Sequence, residues 1–229
     1  MSGDEERGKQ AIRGNDDPSS MEEWKAYKQQ KRSRLKNTDF SIISLNCCGT
    51  IIYRDMEMPY LSPTNNLSMS VSDYMKLAEN LRWYMAQELT ETEADAPYPV
   101  AMLGDIKIYF VHYKTFEDAK EKWNRRRDRI NWDNLFFMTM EKAGNTRELM
   151  ERFQQLPCKN KVIFTNREYP EFSAAFYIKG FEGQDGLGDI TAFRSRSPIR
   201  RYEDDFDYVA FLNGEGNCKE PWSGFVKDR

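Results

Sequence analysis

The sequence predicts an α/β protein with three layers, in which helices cover both faces of a mostly parallel sheet. Between Phe40 and Thr165, short runs of apolar and β-branched residues alternate with stretches that have the spacing of amphipathic helices. Such alternation is typical of parallel sheets, because each crossover helix packs against a face of the sheet. With 229 residues, of which 39% are hydrophobic, the chain is long enough for one domain with a sizeable core. We therefore expect one Rossmann-like unit.

Residues 1–38 differ in composition from the remainder, and we expect a disordered or helical extension ahead of a single α/β domain at residues 39–229. The first twenty residues are charged and turn-rich, with almost nothing to bury. The segment Lys25–Lys36 carries six basic residues and no acidic residue. This composition predicts a solvated helix or, alternatively, a peripheral contact with an anionic membrane surface or a partner protein.

The first predicted strand runs from Phe40 to Leu45 and ends in the turn composition of Asn46–Gly49. Ser72 is the predicted N-cap of the helix that follows, because apolar residues recur behind it at spacings of three and four. The next predicted strand is the apolar run Ile106–Val111.

Thr115 and Asp118 form a predicted capping box that opens the next helix, whose apolar face carries Trp123. A strand, a helix and a strand then have the order of a βαβ crossover: Leu135–Thr139, a helix from the Thr146 cap to Pro157, and Val162–Thr165. After Tyr169 the pattern changes to shorter pieces, which are added strands or a small appendage: Ala174–Ile178, a glycine-rich loop at Gly183–Gly188, and Tyr208–Leu212.

The charge balance excludes several classes of protein. The chain has 34 basic and 37 acidic residues, a net charge of −3, and so lacks the basic field of a protein that binds nucleic acid. No apolar run approaches the roughly 20 residues of a membrane span, and the polar N-terminus is unlike a signal peptide. We therefore expect a cytoplasmic protein.

The four cysteines predict neither a disulfide framework nor a metal centre. Cys47 and Cys48 are adjacent, a pair that rarely forms a disulfide without strain. One histidine and one adjacent cysteine pair also lack the ligand spacing of zinc sites. Neither the dinucleotide-binding nor the P-loop glycine pattern occurs in the sequence. We therefore expect no metal and no cofactor.

Topology, rather than any motif, indicates where a ligand would bind. In an open parallel sheet, ligands bind beyond the carboxyl ends of the strands. If the four predicted strands are all parallel, the polar segments that follow them share one edge of the sheet. These segments are Asn46–Gly49, His112–Lys114, Glu141–Asn145 and Asn166–Glu168.

Two residues at this predicted edge are candidates for catalysis. His112, the only histidine, is a candidate general base or phosphate contact, and the alternative is a structural histidine bonded to backbone. Cys47 is a candidate nucleophile paired with His112, since a thiolate needs a neighbouring base or a helix N-terminus. The alternative for Cys47 is a small packing residue in a tight turn.

The densest basic cluster of the predicted domain lies on the helix that follows Thr115. Lys122, Arg126 and Arg129 share one broad helical face. We interpret Arg126 and Arg129 as candidate clamps for a diphosphate. The alternative is a solvated face whose charges are balanced by neighbouring acidic residues.

Several blocks of the sequence together resemble the bacterial family DUF1919, a domain of unknown function whose members are often labelled exopolysaccharide biosynthesis proteins. The matching blocks lie at Ser41–Gly49, Ile52–Asp55, Tyr60–Leu67, Tyr98–Val100, Gly104–Ile108, His112–Lys114, Phe116–Trp123, Arg129–Asn134 and Leu156–Thr165. The chain departs from the family pattern at Leu45 and Thr50, where asparagine and glycine are usual, and at Met140–Gly144, where the family is richer in aspartate.

The resemblance implies a three-layer α/β fold and a place in the assembly of capsule or exopolysaccharide. Combined with the predicted edge, it implies a transferase that acts on an activated sugar or a glycan precursor. The substrate-binding residues would then be Asn46 and, in the loop beyond the first strand, Ser62, Thr64 and Asn66. Two alternatives remain open: a thiol-dependent acyl or ester transfer by Cys47 and His112, and a non-catalytic assembly or regulatory partner that uses the basic segment Lys25–Lys36.

Overall fold

The computed structural model describes residues 18–143, 147–194 and 197–222. In chain order its elements are α1 (Pro18–Arg34), β1 (Ser41–Ser44), α2 (Cys48–Asp55), α3 (Val71–Glu79), α4 (Leu81–Met85), β2 (Leu89–Glu91), β3 (Val100–Leu103), β4 (Ile106–Tyr109), α5 (Phe116–Arg127), β5 (Leu135–Met140), α6 (Arg147–Gln155), β6 (Asn160–Thr165), β7 (Ala175–Tyr177), β8 (Phe193–Arg194), β9 (Ser197–Arg201), a 3₁₀ helix (Glu203–Asp205) and α7 (Tyr208–Leu212).

The main sheet has four parallel strands in the order β1-β5-β6-β7. Its strands are largely buried, as expected for a parallel sheet that helices cover. On one side, Phe211 of α7 packs edge-on against Phe136 of β5 at 5.1 Å. From α3, the Tyr74 hydroxyl donates to the Ile43 carbonyl of β1, and the Tyr74 ring lies 6.4 Å from that of Phe153 of α6. The predicted mixed α/β fold with a parallel sheet is confirmed.

One predicted strand does not belong to the parallel sheet. β4 pairs with β3 in antiparallel register, Leu103 opposite Ile106, and β2 completes a separate three-stranded sheet. Gly104 and Asp105 form the two-residue turn between them, and Gly104 has the positive φ of 59° that such turns require. The expectation that all four predicted strands are parallel is therefore wrong, and His112 does not follow a strand of the main sheet.

Other predicted elements differ in type or in bounds. Tyr208–Leu212 is the helix α7 rather than a strand, because Asp207 caps it by accepting the Ala210 N–H. A short run that is apolar throughout does not distinguish the two types of element. The N-cap of α3 is Ser70 rather than Ser72, and Asn80 separates α3 from α4. The Thr115 cap and a strand within Ala174–Ile178 are confirmed, whereas the predicted Thr146 cap lies outside the described residues.

β1 lies at one edge of the main sheet, and side chains bond the backbone groups that face away from β5. The Ser44 N–H donates to Thr64 Oγ1 at 3.0 Å, and the Thr64 hydroxyl donates to the Ile42 carbonyl at 3.2 Å. The Ile42 N–H donates to the Tyr53 hydroxyl at 3.0 Å. A free strand edge is a template for pairing with other chains, and these bonds close it.

The helix α1 is packed onto the domain through buried ion pairs. The Lys31 ammonium is 1% exposed and lies 3.3 Å from an Asp204 oxygen and 3.4 Å from a Glu220 oxygen. Lys28 pairs with Asp55 at 2.6 Å. The expectation of a solvated helix is therefore wrong for these two lysines, whose charges are neutralised within the chain.

Arg201, at the end of β9, is the centre of these ion pairs. Its guanidinium bonds to the carboxylates of Asp55 and Asp204 and lies 3.4 Å from a Glu203 oxygen. We call this set the Arg201 network; its members are Lys28, Lys31, Asp55, Arg201, Glu203, Asp204 and Glu220. Removing one partner of a buried ion pair leaves an uncompensated charge, typically at a cost of about 3–5 kcal/mol. The network therefore holds α1, α2 and β9 together.

Replacing Thr64 with valine is expected to lower the free energy of unfolding by about 1–3 kcal/mol, because a buried amide and a buried carbonyl lose their partner at nearly constant side-chain volume. Chemical denaturation of the full chain measures this loss. Thr90→Val, at an exposed position of β2, is the matched control and should change the free energy by less than about 0.5 kcal/mol. Equal losses in the two variants would contradict the role of Thr64.

Glu203 determines part of the pH dependence of stability. Burial, which the Arg201 charge only partly opposes, raises the pKa of Glu203 from its usual 4.5 to about 8. The folded protein thus holds this proton more tightly than the unfolded chain, so its stabilising contribution is lost as the pH rises from 4.5 through 8. Glu203→Gln mimics the protonated carboxyl and is expected to remove this contribution to the pH dependence.

Denaturant unfolding across that pH range tests the expectation. Glu93→Gln, at an exposed position, is the control and should keep the wild-type dependence on pH. A Glu203→Gln profile that falls as steeply as that of the wild type would show that another group is responsible.

Candidate functional site

The candidate site lies at the carboxyl end of β1, where the turn into α2 begins. Asn46 fixes this turn: its Oδ1 accepts the Cys48 N–H at 3.1 Å, and its Nδ2 lies 2.8 Å from the Met140 sulfur at the end of β5. The Ser44 hydroxyl donates to the Asn46 carbonyl at 2.7 Å. Asn46 therefore joins β1, β5 and α2, and its side chain is half-buried.

Gly49 allows α2 to lie directly on β1. A Cβ atom at this position would lie 2.8 Å from Ser44 Oγ and 2.9 Å from Ile42 Cγ2, closer than real Cβ contacts. Any side chain here would therefore push α2 away from the strand. Because Gly49 has no side chain, the first turn of α2 lies at the carboxyl edge of the sheet.

The first turn of α2 lies at this edge, and its residues Gly49 and Thr50 are buried. Asn46 accepts the N–H of Cys48, and the Cys47 carbonyl accepts that of Ile51. Within the described part of the chain, no acceptor bonds the N–H groups of Gly49 and Thr50. Unbonded N–H groups at a helix N-terminus carry a partial positive charge and favour an anion.

Cys47 begins this turn, and its thiol is protonated at neutral pH. Burial and the negative charges of Asp189 and Glu203 raise the pKa of Cys47 to about 11, against the opposing charges of Arg54 and Lys142. The sulfur is half-buried and lies 3.9 Å from the Leu67 carbonyl oxygen. This environment is the opposite of one that activates a nucleophilic thiolate.

Lys142 follows β5 and faces the same turn. Burial lowers the pKa of its ammonium, and the Cys48 and Cys47 sulfurs are close enough to oppose that shift. The buried Glu203 carboxyl contacts Cys48 and, with a pKa of about 8, is mostly protonated at neutral pH. The charged groups around the turn are thus Lys142 and Arg54, together with the exposed carboxylate of Asp189.

At the ends of β5 and β6, polar groups are bonded to one another. The buried Glu141 carboxylate accepts the Asn166 N–H at 3.1 Å and the Tyr169 hydroxyl at 2.8 Å. The predicted glycine-rich loop covers them, since the Leu187 N–H donates to the Glu141 carbonyl and Asn166 Nδ2 donates to the Gln184 carbonyl. The polar groups at the ends of β5 and β6 are therefore already bonded, and the groups that could bind a ligand lie beside β1.

His112 lies in a turn after β4 and is exposed. Partial burial and the positive charge of Arg54 lower the pKa of its imidazole, which is therefore mostly neutral at pH 7. Arg54 acts electrostatically on both His112 and Cys47. No hydrogen bond links these two predicted catalytic residues in the part of the chain that the structure describes.

The predicted loop residues differ in their access to a ligand. Ser62 and Thr64 are fully buried, and their hydroxyls lie 3.0 Å from each other. Thr64 also closes the edge of β1, so we leave both out of the site. Asn66 is half-buried beside α2, with its N–H donating to Thr50 Oγ1 at 2.9 Å.

The predicted arginine clamps lie elsewhere. Arg126 is buried, donates to the Tyr113 hydroxyl at 2.6 Å and stacks over the Tyr60 ring at 4.5 Å. Arg129 is exposed and lies 3.5 Å from the Tyr60 carbonyl oxygen. The chain then reaches Asn131, whose N–H donates to Ser41 Oγ at the amino end of β1. These arginines are thus not brought together with Cys47.

Arg54 and Lys142 are site residues that no sequence motif indicated individually. Arg54 comes seven residues after Cys47, two helical turns along the same face, and Lys142 lies within the predicted edge segment Glu141–Asn145. Asp189 comes from a distant part of the sequence, and no local pattern predicts its electrostatic effect on Cys47.

A family model for a domain of unknown function, DUF1919, matches residues 20–213. The chain belongs to this family. An uncharacterized protein of Haemophilus influenzae is 42% identical over 180 residues, which cover 79% of this chain and 87% of the relative. The DUF1919 match begins inside α1 and extends past α7, so it includes the site and every member of the Arg201 network except Glu220.

Two further observations concern the described ranges alone. None of the helices seen there is both long and apolar enough to cross a bilayer. Nor do three histidine, cysteine, aspartate or glutamate side chains come together there in a way that could hold a metal ion.

The protonated state of Cys47 predicts slow alkylation. Raising the pKa from 9.0 to about 11 lowers the thiolate fraction at neutral pH about a hundredfold. Iodoacetamide labelling followed by peptide mass spectrometry should therefore modify Cys47 far more slowly than the exposed Cys218, with the difference narrowing at alkaline pH. Faster labelling of Cys47 than of Cys218 at pH 7 would contradict this account.

Proposed function

We propose that this protein is a transferase that acts on an activated sugar or another phosphorylated glycan precursor and binds the phosphate groups where α2 begins. The observation that carries the proposal is the pair of unbonded N–H groups of Gly49 and Thr50, which follow directly after Cys47 and Cys48 in the turn. The positive charges of Lys142 and Arg54 both act on Cys47 in this turn. Phosphate oxygens are strong acceptors and carry the charge that such a turn favours.

The topology supports this placement. The turn lies at the carboxyl end of β1, beside the helix packed on that strand, and ligands of open parallel sheets bind beyond the carboxyl ends of the strands. We propose that the sheet and its helices form a three-layer, Rossmann-like unit. Support comes from α2 and α7, which cover one face of the sheet by lying against Ile42 and its register partner Phe136.

The local charges also favour an anion. Lys142 and Arg54 provide two positive charges, against the single charge of Asp189 and a largely protonated Glu203. The depressed pKa of Lys142 indicates an ammonium that gains from a negative partner, because burial has removed part of its hydration.

In this proposal His112 is the general base that accepts a proton from the acceptor hydroxyl. Its neutral imidazole is exposed and lies within the electrostatic reach of Arg54. Asn46 and Asn66 border the turn and are the proposed sugar contacts.

We place this reaction in capsule or exopolysaccharide assembly in the cytoplasm. This setting is the one that the resemblance of the sequence blocks implies. The cysteines at positions 47, 48, 158 and 218 are all free thiols, as is usual in a reducing compartment.

The two alternative functions have less support. A thiol-dependent transfer requires an activated Cys47, and the burial of this thiol has the opposite effect on its pKa. A partner surface on Lys25–Lys36 would have to compete with the pairing of Lys28 and Lys31 inside the Arg201 network.

Thermal shift with a panel of nucleotide sugars tests the proposal. UDP-glucose, UDP-N-acetylglucosamine, GDP-mannose and dTDP-glucose are the probes, and binding at about a hundredfold excess over Kd stabilises a protein by about 2.7 kcal/mol. At least one donor should raise the Tm of the wild type, and Lys142→Met should weaken that binding at least about tenfold.

Lys159→Met is the matched control. Lys159 is exposed and immediately precedes β6, so it lies at the amino ends of the strands, away from the turn after β1. This variant should keep the full shift. His112→Ala should also keep the shift while losing turnover, as expected of a base rather than a phosphate contact. The absence of a shift with every donor, or equal losses in the two lysine variants, would refute the proposal.

A further inference from the structure

Trp83, which lies in α4, is 53% exposed, unlike every other large apolar side chain in the described ranges. Its neighbours hold it in place. The Tyr84 ring packs edge-on against it at 4.8 Å, and a Cβ at Gly104 would meet the end of the indole at 3.0 Å. An exposed tryptophan fixed in this way is not a flexible surface side chain, and its open area is available to a ligand.

The groups around Trp83 are polar and are themselves ordered. The Asp105 carboxylate lies in the turn next to Gly104, where it accepts the Lys76 ammonium at 2.7 Å and the Tyr84 hydroxyl at 2.6 Å. Each carboxylate oxygen keeps a second acceptor position for a further donor. A fixed aromatic ring thus lies beside a fixed acceptor of hydroxyl hydrogen bonds.

We propose that Trp83 and Asp105 form a binding platform for a pyranose ring of a glycan. A pyranose has a face of C–H groups that stacks on an aromatic ring, and its rim of hydroxyl groups bonds to carboxylates. A protein partner would need a larger apolar centre with several aromatic side chains, whereas Trp83 has Arg82, Lys76 and Asp105 as neighbours. The charge of Lys76 is neutralised by Asp105, so the platform fits an uncharged sugar.

The platform is separate from the phosphate site. Arg82 stacks over the ring of Trp132 at 4.3 Å, three residues before β5 begins, so this surface lies at the amino end of the main sheet. Cys47 and Lys142 lie at the carboxyl end. The inference rests on the proposed function only in expecting that the chain encounters glycans, and variants of one surface should leave the other intact.

Fluorescence quenching tests the platform in the full chain. Trp83 is the most exposed of the five tryptophans, so acrylamide should quench it preferentially. Maltohexaose, cellohexaose and chitohexaose at millimolar concentration are the probes, and at least one should protect the emission from quenching. Trp83→Leu should abolish the protection and weaken binding, measured by calorimetry, at least about tenfold.

Two further variants make the result specific. Trp222→Phe, at a half-buried tryptophan stacked on Tyr27, should keep the protection. Lys142→Met should also keep it, because Lys142 belongs to the phosphate site and not to the platform. Asp105→Asn should weaken binding while leaving the Tm close to that of the wild type.

Two outcomes would overturn the proposal. One is that none of the three glycans protects the wild-type emission. The other is that Trp83→Leu changes the sedimentation coefficient, since a second copy of the chain would then be the occupant of this surface.

Discussion

Asp55 is a fully buried carboxylate at the end of α2, and the geometry of the site depends on its pairing. Lys28 of α1 and Arg201 of β9 both bond to it, and these two cations fix the far end of α2. At the near end, Gly49 lies against β1. The N–H groups that face the carboxyl edge are therefore held by a helix anchored at both ends. Glu203, paired with Arg201, connects the same network to the thiols of the turn.

Local patterns were sufficient where the decisive contacts are close in sequence. The Thr115 cap and the succession of β5, α6 and β6 follow from spacing alone. The assignment of β4 to the parallel sheet was wrong because a turn signal at Gly104 and Asp105, between two apolar runs, is a stronger determinant of pairing than the surrounding strand–helix alternation. The α1 packing depends on buried charges, which the composition of Lys25–Lys36 alone does not distinguish from solvated ones.

The sequence predicted only one part of the candidate site, which is the turn at the end of the first strand. Asn46 and Cys47 lie where the end of the first strand places them. Thr64 was predicted as a substrate contact because its side chain is polar. A hydroxyl can instead bond the backbone of an edge strand, as Thr64 does, and the sequence does not distinguish these two roles. Lys142 acquires its role from burial, and Asp189 from the path of the chain through a later loop. Neither property has a local signature.

The first helix is synthesised long before the residues that neutralise it. Lys31 and Asp204 are 173 positions apart, and Arg34 and Glu220 are 186 positions apart. A ribosome must release almost the entire chain before these charges can meet, so Lys31 and Arg34 are without these partners while the intervening strands are synthesised. Pairs this distant also slow folding, because a large loop must close before they form. The C-terminal residues of the chain therefore complete the neutralisation of a helix that is made first, although Lys28 and Arg32 of that helix have partners nearby in sequence at Asp55.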